Sequence, residues 1–237
     1  MNTILFDLDG TLLTMDTDQF MKLYMEALTL AFIPHMEPSL FQARLWEGTK
    51  KMLKNNNEKK SNEMVFFESF FQGIEEKKDL MVDVFDDFYQ TGFKQAKAAT
   101  EQNSHMLASV RKLKEKGYRL AVATNPLFPL EAVKQRMEWA GLTIGDFDLI
   151  TSFETMHACK PNPLFYQQVL NLLRVEPEDA MMVGNDARED LAAAELGVTT
   201  YLVTDCLLQD DQKTVVPNYQ GTSRDFLHYV DRLPSLL

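Results

Sequence analysis

Five short apolar runs, separated by stretches of helical periodicity, constrain the fold of this chain more than any other feature. The runs occupy residues 3–6, 119–124, 148–153, 180–184 and 199–204. Continuous apolar runs of this length are typical of strands buried on both faces of a sheet. The intervening segments show helical spacing around Leu107 to Leu113 and over 130–140, 163–173 and 189–196. This alternation predicts a doubly wound, mainly parallel α/β sheet with helices on both faces.

One long segment, residues 15–96, interrupts the alternation. It contains no convincing buried strand, but aromatic and aliphatic residues repeat at helical spacing, first from Phe20 to Ala31 and then from Phe66 to Ile74. We therefore predict a Rossmann-like core formed by residues 1–14 and 97–237, with an all-helical cap inserted at 15–96.

Composition excludes several classes of protein. The 237 residues include 45% hydrophobic residues and carry a net charge of −11, which disfavours nucleic acid and anionic membranes as partners. No segment approaches the ~20 apolar residues of a membrane span, and the N-terminus does not have the pattern of a signal peptide. We expect a cytoplasmic protein whose two cysteines, Cys159 and Cys206, are buried free thiols.

The strongest chemical signal follows the first apolar run. Asp7 and Asp9, in the segment DLDGT, emerge where a parallel sheet presents its carboxyl edge, which is where such sheets bind ligands. The alternative is a simple strand-end turn at Asp9-Gly10.

A second polar cluster follows the fourth run, where Asn185, Asp186 and Asp190 should reach the same edge. Crowded carboxylates repel one another, and a bound cation relieves that repulsion. Hard oxygen ligands suit Mg²⁺, which commonly bridges to a substrate phosphate. Taken alone, Asp186 and Asp190 could instead cap a helix N-terminus.

Two further strand ends supply groups that complement an anion. Thr124 ends the second run and Asn125 follows it, and Lys160 comes shortly after the third run. A hydroxyl, backbone N–H groups and an ammonium can hold phosphate oxygens. Each residue alone would be unremarkable, so the inference rests on their joint placement.

In this order, DLDGT, ATN, the lysine of KP, and GND with a later aspartate resemble the motifs of the haloacid dehalogenase superfamily of aspartyl-nucleophile phosphohydrolases. The resemblance implies that Asp7 is the nucleophile and Asp9 the general acid/base. It also implies that Thr124 binds phosphate, that Lys160 organises the charges, and that the acidic cluster, together with Asp7 and Asp9, holds Mg²⁺.

The fourth motif departs from the family pattern. Family members often have aspartate directly after the glycine, where this chain has Asn185, with Asp186 next. Either residue could contact the metal together with Asp190, and the sequence modestly favours Asp186.

The resulting expectation is a Mg²⁺-dependent phosphomonoesterase, monomeric by default, acting on a small phosphorylated metabolite because a closing cap would exclude a folded protein. A phosphomutase with the same core is the nearest alternative, and a non-catalytic binding protein on this fold is a further one. Arg44, Lys50 and Lys51 are candidates for substrate contacts by charge alone, or simply part of a solvated helix face.

Overall fold

The computed structural model describes residues 1–209 and 215–237 and confirms the predicted α/β fold class. Its eight strands, in chain order, are β1 (Thr3–Phe6), β2 (Leu13–Met15), β3 (Thr100–Gln102), β4 (Arg119–Val122), β5 (Leu149–Ile150), β6 (Ala180–Gly184), β7 (Thr199–Val203) and β8 (Tyr219–Gly221). Six of them form one parallel sheet in the order β5-β4-β1-β6-β7-β8, and β2 pairs with β3 in an antiparallel ribbon.

Among the described residues, eight α-helices complete the fold, and the first four lie in the insertion between β2 and β3. They are α1 (Thr17–Phe32), α2 (Pro38–Leu53), α3 (Asn62–Phe70), α4 (Lys78–Gln90), α5 (Ser104–Glu115), α6 (Leu130–Trp139), α7 (Pro163–Leu173) and α8 (Ser223–Arg232). Short 3₁₀ helices cover Glu75–Lys77, Gly92–Ala99, Ile144–Asp146, Pro177–Asp179 and Leu191–Leu196.

Strand β1 lies at the centre of the core because all four of its side chains are apolar or small and fully buried. Ile4 and Phe6 point to one face of the sheet and Leu5 to the other, as strand pleating requires. Helices α5 and α8 cover the first face, and α7 covers the second. Both faces are therefore dry, and polar groups gather at the strand ends.

The helical insertion has its own aromatic interior. Phe32, Phe41, Phe70 and Phe85 are all buried, and the ring centres of Phe32 lie 4.4 Å from Phe41 and 4.5 Å from Phe85. Helical periodicity places these rings on facing sides of α1 to α4. The ribbon of β2 and β3 joins this unit to the core, while the domain boundaries at residues 15 and 96 stay predictions.

Several elements differ from the sequence-based expectation. The run at 148–153 pairs only at Leu149–Ile150, and residues 191–196 form a short 3₁₀ helix that ends at Gly197. Strand β8, at the sheet edge, was missed because its residues are largely exposed and show no apolar run. The charged stretch after Leu208 extends over residues 210–214, which lie outside the described residues.

Two further expectations concern thiols and membranes. Both cysteines are free, but only Cys159 is buried, because Cys206 lies in a half-exposed loop. In the described parts of the chain, no helix has the length and apolar character needed to cross a membrane.

Candidate active site

A buried lysine joins two carboxylates at the carboxyl edge of the sheet. Asp7 directly follows β1, and its backbone N–H donates to the carbonyl of Val183 (2.9 Å), which fixes the residue between β1 and β6. Lys160 Nζ donates to Asp7 Oδ1 (2.9 Å) and to Asp190 Oδ1 (2.6 Å). Lys160 and Asp190 are each only 2% exposed. The three residues, distant in sequence, thus form one buried ionic cluster.

The charges in this cluster perturb one another. Burial raises the pKa of Asp190 to about 6, although Lys160 opposes the shift. Burial also raises the pKa of Asp7, again against Lys160, and the nearby Asp9 carboxylate adds to the rise. Burial alone would lower the pKa of Lys160, but Asp190 and Asp7 outweigh it, so its pKa lies well above the ordinary value and the ammonium stays charged.

Asp9 is held by a second buried cation, Arg136 of α6. Arg136 is 1% exposed, and its Nη1 donates to Asp9 Oδ2. Its guanidinium also lies 4.5 Å from the ring centre of Phe128. Burial raises the pKa of Asp9, while Arg136 and then Lys160 oppose the rise. Across the described residues, Asp9 Oδ1 and Arg136 Nη2 are buried polar atoms without a hydrogen-bond partner in the protein.

The two residues predicted to bind phosphate have different surroundings. Thr124 is buried after β4, and within residues 1–209 and 215–237 its hydroxyl makes no hydrogen bond to the protein. Asn125 instead donates from Nδ2 to Glu189 Oε2 (2.9 Å) and accepts at Oδ1 from the backbone N–H of Lys160 (3.2 Å). The side chain of Asn125 therefore braces the loop that carries Lys160, and Thr124 is the hydroxyl left for a ligand.

The fourth motif lies against the first. Asn185 is 2% exposed, and its Oδ1 accepts from Thr11 Oγ1 (2.9 Å) while its Nδ2 donates to the carbonyl of Cys206 (2.7 Å). Asp186 uses Oδ1 to accept from the backbone N–H groups of Arg188 and Glu189 within its own turn. Asn185 therefore contacts the loop that follows Asp7, whereas Asp186 accepts hydrogen bonds within its own turn. Which of the two would contact a metal stays a prediction.

Two glycines allow these loops to approach one another. A Cβ on Gly10 would lie 2.4 Å from Asn185 Nδ2, and its φ of +81° is costly for any other residue. A Cβ on Gly184 would lie 2.1 Å from Asp190 Oδ2. The glycines of DLDGT and GND are therefore required by close packing around the cluster.

A family model for haloacid dehalogenase-like hydrolases matches residues 1–197, which is most of the chain. The chain belongs to the haloacid dehalogenase-like hydrolase family. The resemblance drawn from DLDGT and the later motifs is confirmed, and the protein is a hydrolase by family.

Individual relatives are distant. The pyrophosphatase PpaX of Bacillus cereus (strain G9842) is 24% identical over 216 residues, covering 86% of this chain and 83% of the relative. A haloacid dehalogenase-family phosphatase from Thermococcus onnurineus aligns over 100% of both chains, with a TM-score of 0.60 and 18% identity. The L-2-haloacid dehalogenase of Xanthobacter autotrophicus aligns over 98% of this chain and 99% of its own, with a TM-score of 0.61 and 15% identity. The two structures establish the fold, and they come from enzymes with different reactions.

Two residues of this hydrolase's site were missed by the sequence reasoning. Arg136 carried a detectable signal, since it lies three and four positions after the buried Val133 and Ala132 and so faces the core. Glu189 carried none, because an acid beside Asp190 is typical of a helix start. Burial raises the pKa of Glu189 to about 7 despite the opposing effect of Lys160, and Asp186, Asp190 and Asp7 add to the rise.

The donor set of this family member fits the Mg²⁺ that the family implies. No group of three or more acidic, histidine or cysteine side chains in the described residues is arranged as a ready metal cage. Mg²⁺ typically takes only one or two carboxylates and completes its shell with water and substrate phosphate. Asp7 and Asp190 offer hard carboxylate oxygens and Asn185 offers an amide oxygen, and burial raises the pKa of both acids although Lys160 opposes the rise. The chemistry of the donors therefore suits a divalent cation.

Proposed function

We propose that the protein is a Mg²⁺-dependent phosphomonoester hydrolase that passes the phosphoryl group through Asp7. The observation that carries the proposal is the buried contact of Lys160 with both Asp7 and Asp190 at the carboxyl edge of the sheet. A carboxylate fixed by a buried ammonium is oriented as a nucleophile, and the cation can offset charge on an incoming phosphate.

In the first step, a carboxylate oxygen of Asp7 attacks phosphorus in line with the leaving alcohol. The new O–P bond forms as the ester O–P bond breaks, and Asp9 gives its proton to the leaving oxygen. Lys160 offsets negative charge on the transferred group, and the Thr124 hydroxyl donates to a phosphate oxygen. Mg²⁺, held by Asp7, Asp190 and Asn185, supplies further neutralisation of phosphate charge when bound.

In the second step, water attacks the phosphorus of the aspartyl phosphate. Asp9, now a carboxylate, accepts the proton of the attacking water, and the bond from phosphorus to the Asp7 oxygen breaks. Inorganic phosphate leaves and both aspartates return to their starting states. Arg136 holds Asp9 in place through both steps, because its guanidinium binds Oδ2 of the carboxyl group that first donates a proton and then accepts one.

The insertion over the site supports a small phosphorylated metabolite as substrate, and we expect the enzyme to act in the cytoplasm as a monomer. The relative from Bacillus cereus is a pyrophosphatase. The hydrolysis of a phosphate ester and that of a phosphoanhydride both begin with nucleophilic attack at phosphorus. Inorganic pyrophosphate is therefore a useful comparison substrate.

The test is hydrolysis of para-nitrophenyl phosphate by the wild type and by Asp7→Asn, with Mg²⁺ and with a chelator. We expect activity that requires Mg²⁺ and is lost in the variant. Activity without Mg²⁺, or activity retained in Asp7→Asn, contradicts the proposal. If pyrophosphate is turned over faster than any ester, the proposed substrate class changes from a phosphomonoester to a phosphoanhydride.

A further inference from the structure

A cavity of about 150 Å³ lies between the helical insertion and the core loops. Its core side is formed by Leu127 and Pro129, which follow β4, and by Phe153 and Glu154, which follow β5. These loops leave the same sheet edge that carries Asp7. A cavity of this volume accommodates a small organic group, since benzene fits an engineered one of similar size. The cavity therefore adjoins the sheet edge at which Asp7 lies.

Six of the fifteen residues that line the cavity are aromatic. The insertion contributes Tyr24 from α1, Phe66 from α3, and Phe85 and Tyr89 from α4. Aromatic rings present negative faces, so they bind organic cations as well as apolar groups.

Three carboxylates line the cavity beside these rings, those of Glu63, Asp86 and Glu154. The described lining contains no basic side chain. Glu154 accepts the backbone N–H of Leu130 (2.9 and 3.1 Å), whereas Glu63 and Asp86 form no ion pair with any described residue. Burial raises the pKa of Glu63. The carboxylates of Glu154 and Asp86 raise it further, and Lys78 opposes the rise. Within the described residues, Glu63 and Asp86 therefore have no direct ion-pair partner, so a bound cation could pair with them.

An independent feature of the cavity is an unused hydrogen-bond donor. The hydroxyls of Tyr24 and Tyr89 lie 2.9 Å apart, and each side chain is more than nine-tenths buried. One hydroxyl donates to the other, so the accepting hydroxyl keeps its own proton. In the described chain no other acceptor binds either hydroxyl. Because both tyrosines line the cavity, that proton is available to an oxygen atom of a ligand.

We propose that this cavity binds a small organic ammonium group, and that the substrate is a phosphate ester of an amino alcohol or quaternary-ammonium alcohol. The substrate assignment rests on the proposed phosphatase function, whereas the ammonium site does not. Aromatic faces and carboxylates together favour such a cation, while a carboxylate-bearing ester would be repelled by Glu63, Asp86 and Glu154.

The first experiment measures binding without catalysis. Choline and its uncharged isostere 3,3-dimethyl-1-butanol are titrated calorimetrically into the full chain and into Glu63→Gln, Asp86→Asn and Glu68→Gln. Glu68 lies on the same helix as Glu63 but outside the cavity, where it pairs with Lys60, so Glu68→Gln is the matched control. Asp86 is exposed, so its substitution should leave folding intact.

We expect choline to bind about 10-fold or more tightly than the isostere, and Glu63→Gln and Asp86→Asn each to weaken choline binding about 3- to 10-fold. Glu68→Gln should bind as the wild type does. Equal binding of the two alcohols, or an equal loss in Glu68→Gln, overturns the ammonium site.

The second experiment compares kcat/KM for phosphocholine, 3,3-dimethylbutyl phosphate and phosphoglycolate, with para-nitrophenyl phosphate as reference. We expect phosphocholine to be preferred over 3,3-dimethylbutyl phosphate, and Glu63→Gln to reduce the ratio of their kcat/KM values. The control Glu68→Gln, outside the cavity, should leave that ratio and the turnover of the reference substrate unchanged. Turnover of the reference without this preference overturns the substrate assignment alone. No turnover of any ester, with selective choline binding retained, contradicts the phosphatase proposal and supports the ammonium site.

Discussion

The carboxyl edge of the core sheet and the interior of the helical insertion use different means to fix their side chains. At the edge, buried charges are held by specific partners, as Lys160 is by Asp7 and Asp190. In the insertion, Phe32, Phe41 and their neighbours pack ring against ring. The sheet edge therefore carries buried charged groups that cost stability but can serve a reaction. The insertion carries apolar rings whose packing stabilises the fold. Substitutions in the two regions should separate activity from stability.

The largest effect is expected at the edge, from Asp7→Asn. Removing the proposed nucleophile should lower kcat for para-nitrophenyl phosphate by about 10⁴-fold or more. Because burial already disfavours the Asp7 carboxylate, the variant should be as stable as the wild type or more so. Steady-state kinetics and urea denaturation of the same preparations check both parts. If Asp7→Asn loses stability together with activity, the sheet edge and the insertion do not differ in the way proposed.

The opposite pattern is expected in the insertion from Phe41→Ala. Phe41 is fully buried against Phe32, so truncation should lower the free energy of unfolding by about 3–5 kcal/mol. At low temperature, where the variant remains folded, Mg²⁺-dependent turnover of para-nitrophenyl phosphate should persist. Phe41→Leu is the conservative control and should cost less. Loss of turnover in folded Phe41→Ala would show that the two regions are not separable.

A smaller effect, dependent on pH, is expected from Glu189→Gln in the presence of a chelator. The folded-state pKa of Glu189 is about 7, above its ordinary value of 4.5. A raised carboxyl pKa stabilises the fold at low pH, and this contribution is lost as pH rises from about 4.5 through 7. Relative to Glu189→Gln, the wild type should therefore weaken between pH 5 and pH 8, by on the order of 1–3 kcal/mol. A difference in unfolding free energy that does not change with pH would contradict this.

The smallest effect is expected from Lys51→Ala on the outer face of α2. Lys51 lies 3.6 Å from Glu47 and its side chain is 59% exposed. Exposed pairs of this kind contribute about 0–1 kcal/mol, so stability and activity should hardly change. Arg44, another basic residue of α2, donates instead to the carbonyls of Phe70 and Gln72. An activity loss in Lys51→Ala would give the basic face of α2 a role in substrate binding.

The parts of the fold that the sequence predicts well are those whose burial is periodic. The four inner strands and the aromatic helices of the insertion show clear apolar patterns, and the position of Asp7 follows from the end of the first run. Strand β8 could not be found this way, because an exposed edge strand has no apolar signature.

The candidate site was only partly predictable because its partners come from distant segments. The sequence could place Asp7, Lys160 and Asp190 at one edge, but their shared hydrogen bonds depend on the fold. The pairing of Asp9 with Arg136 depends on which helix face is buried. The positions of Asn185 and Asp186 depend on a turn in which Asp186 Oδ1 accepts hydrogen bonds from the next backbone N–H groups.

The central claim, that Asp7 is the nucleophile, is tested most directly by trapping the phosphorylated protein. Wild type and Asp7→Asn are mixed with para-nitrophenyl phosphate and Mg²⁺, quenched rapidly with acid and analysed by peptide mass spectrometry. We predict one added phosphoryl group on the peptide containing Asp7 in the wild type, and none in the variant. Turnover without a phosphorylated peptide, or a phosphoryl group on another residue, would contradict the mechanism.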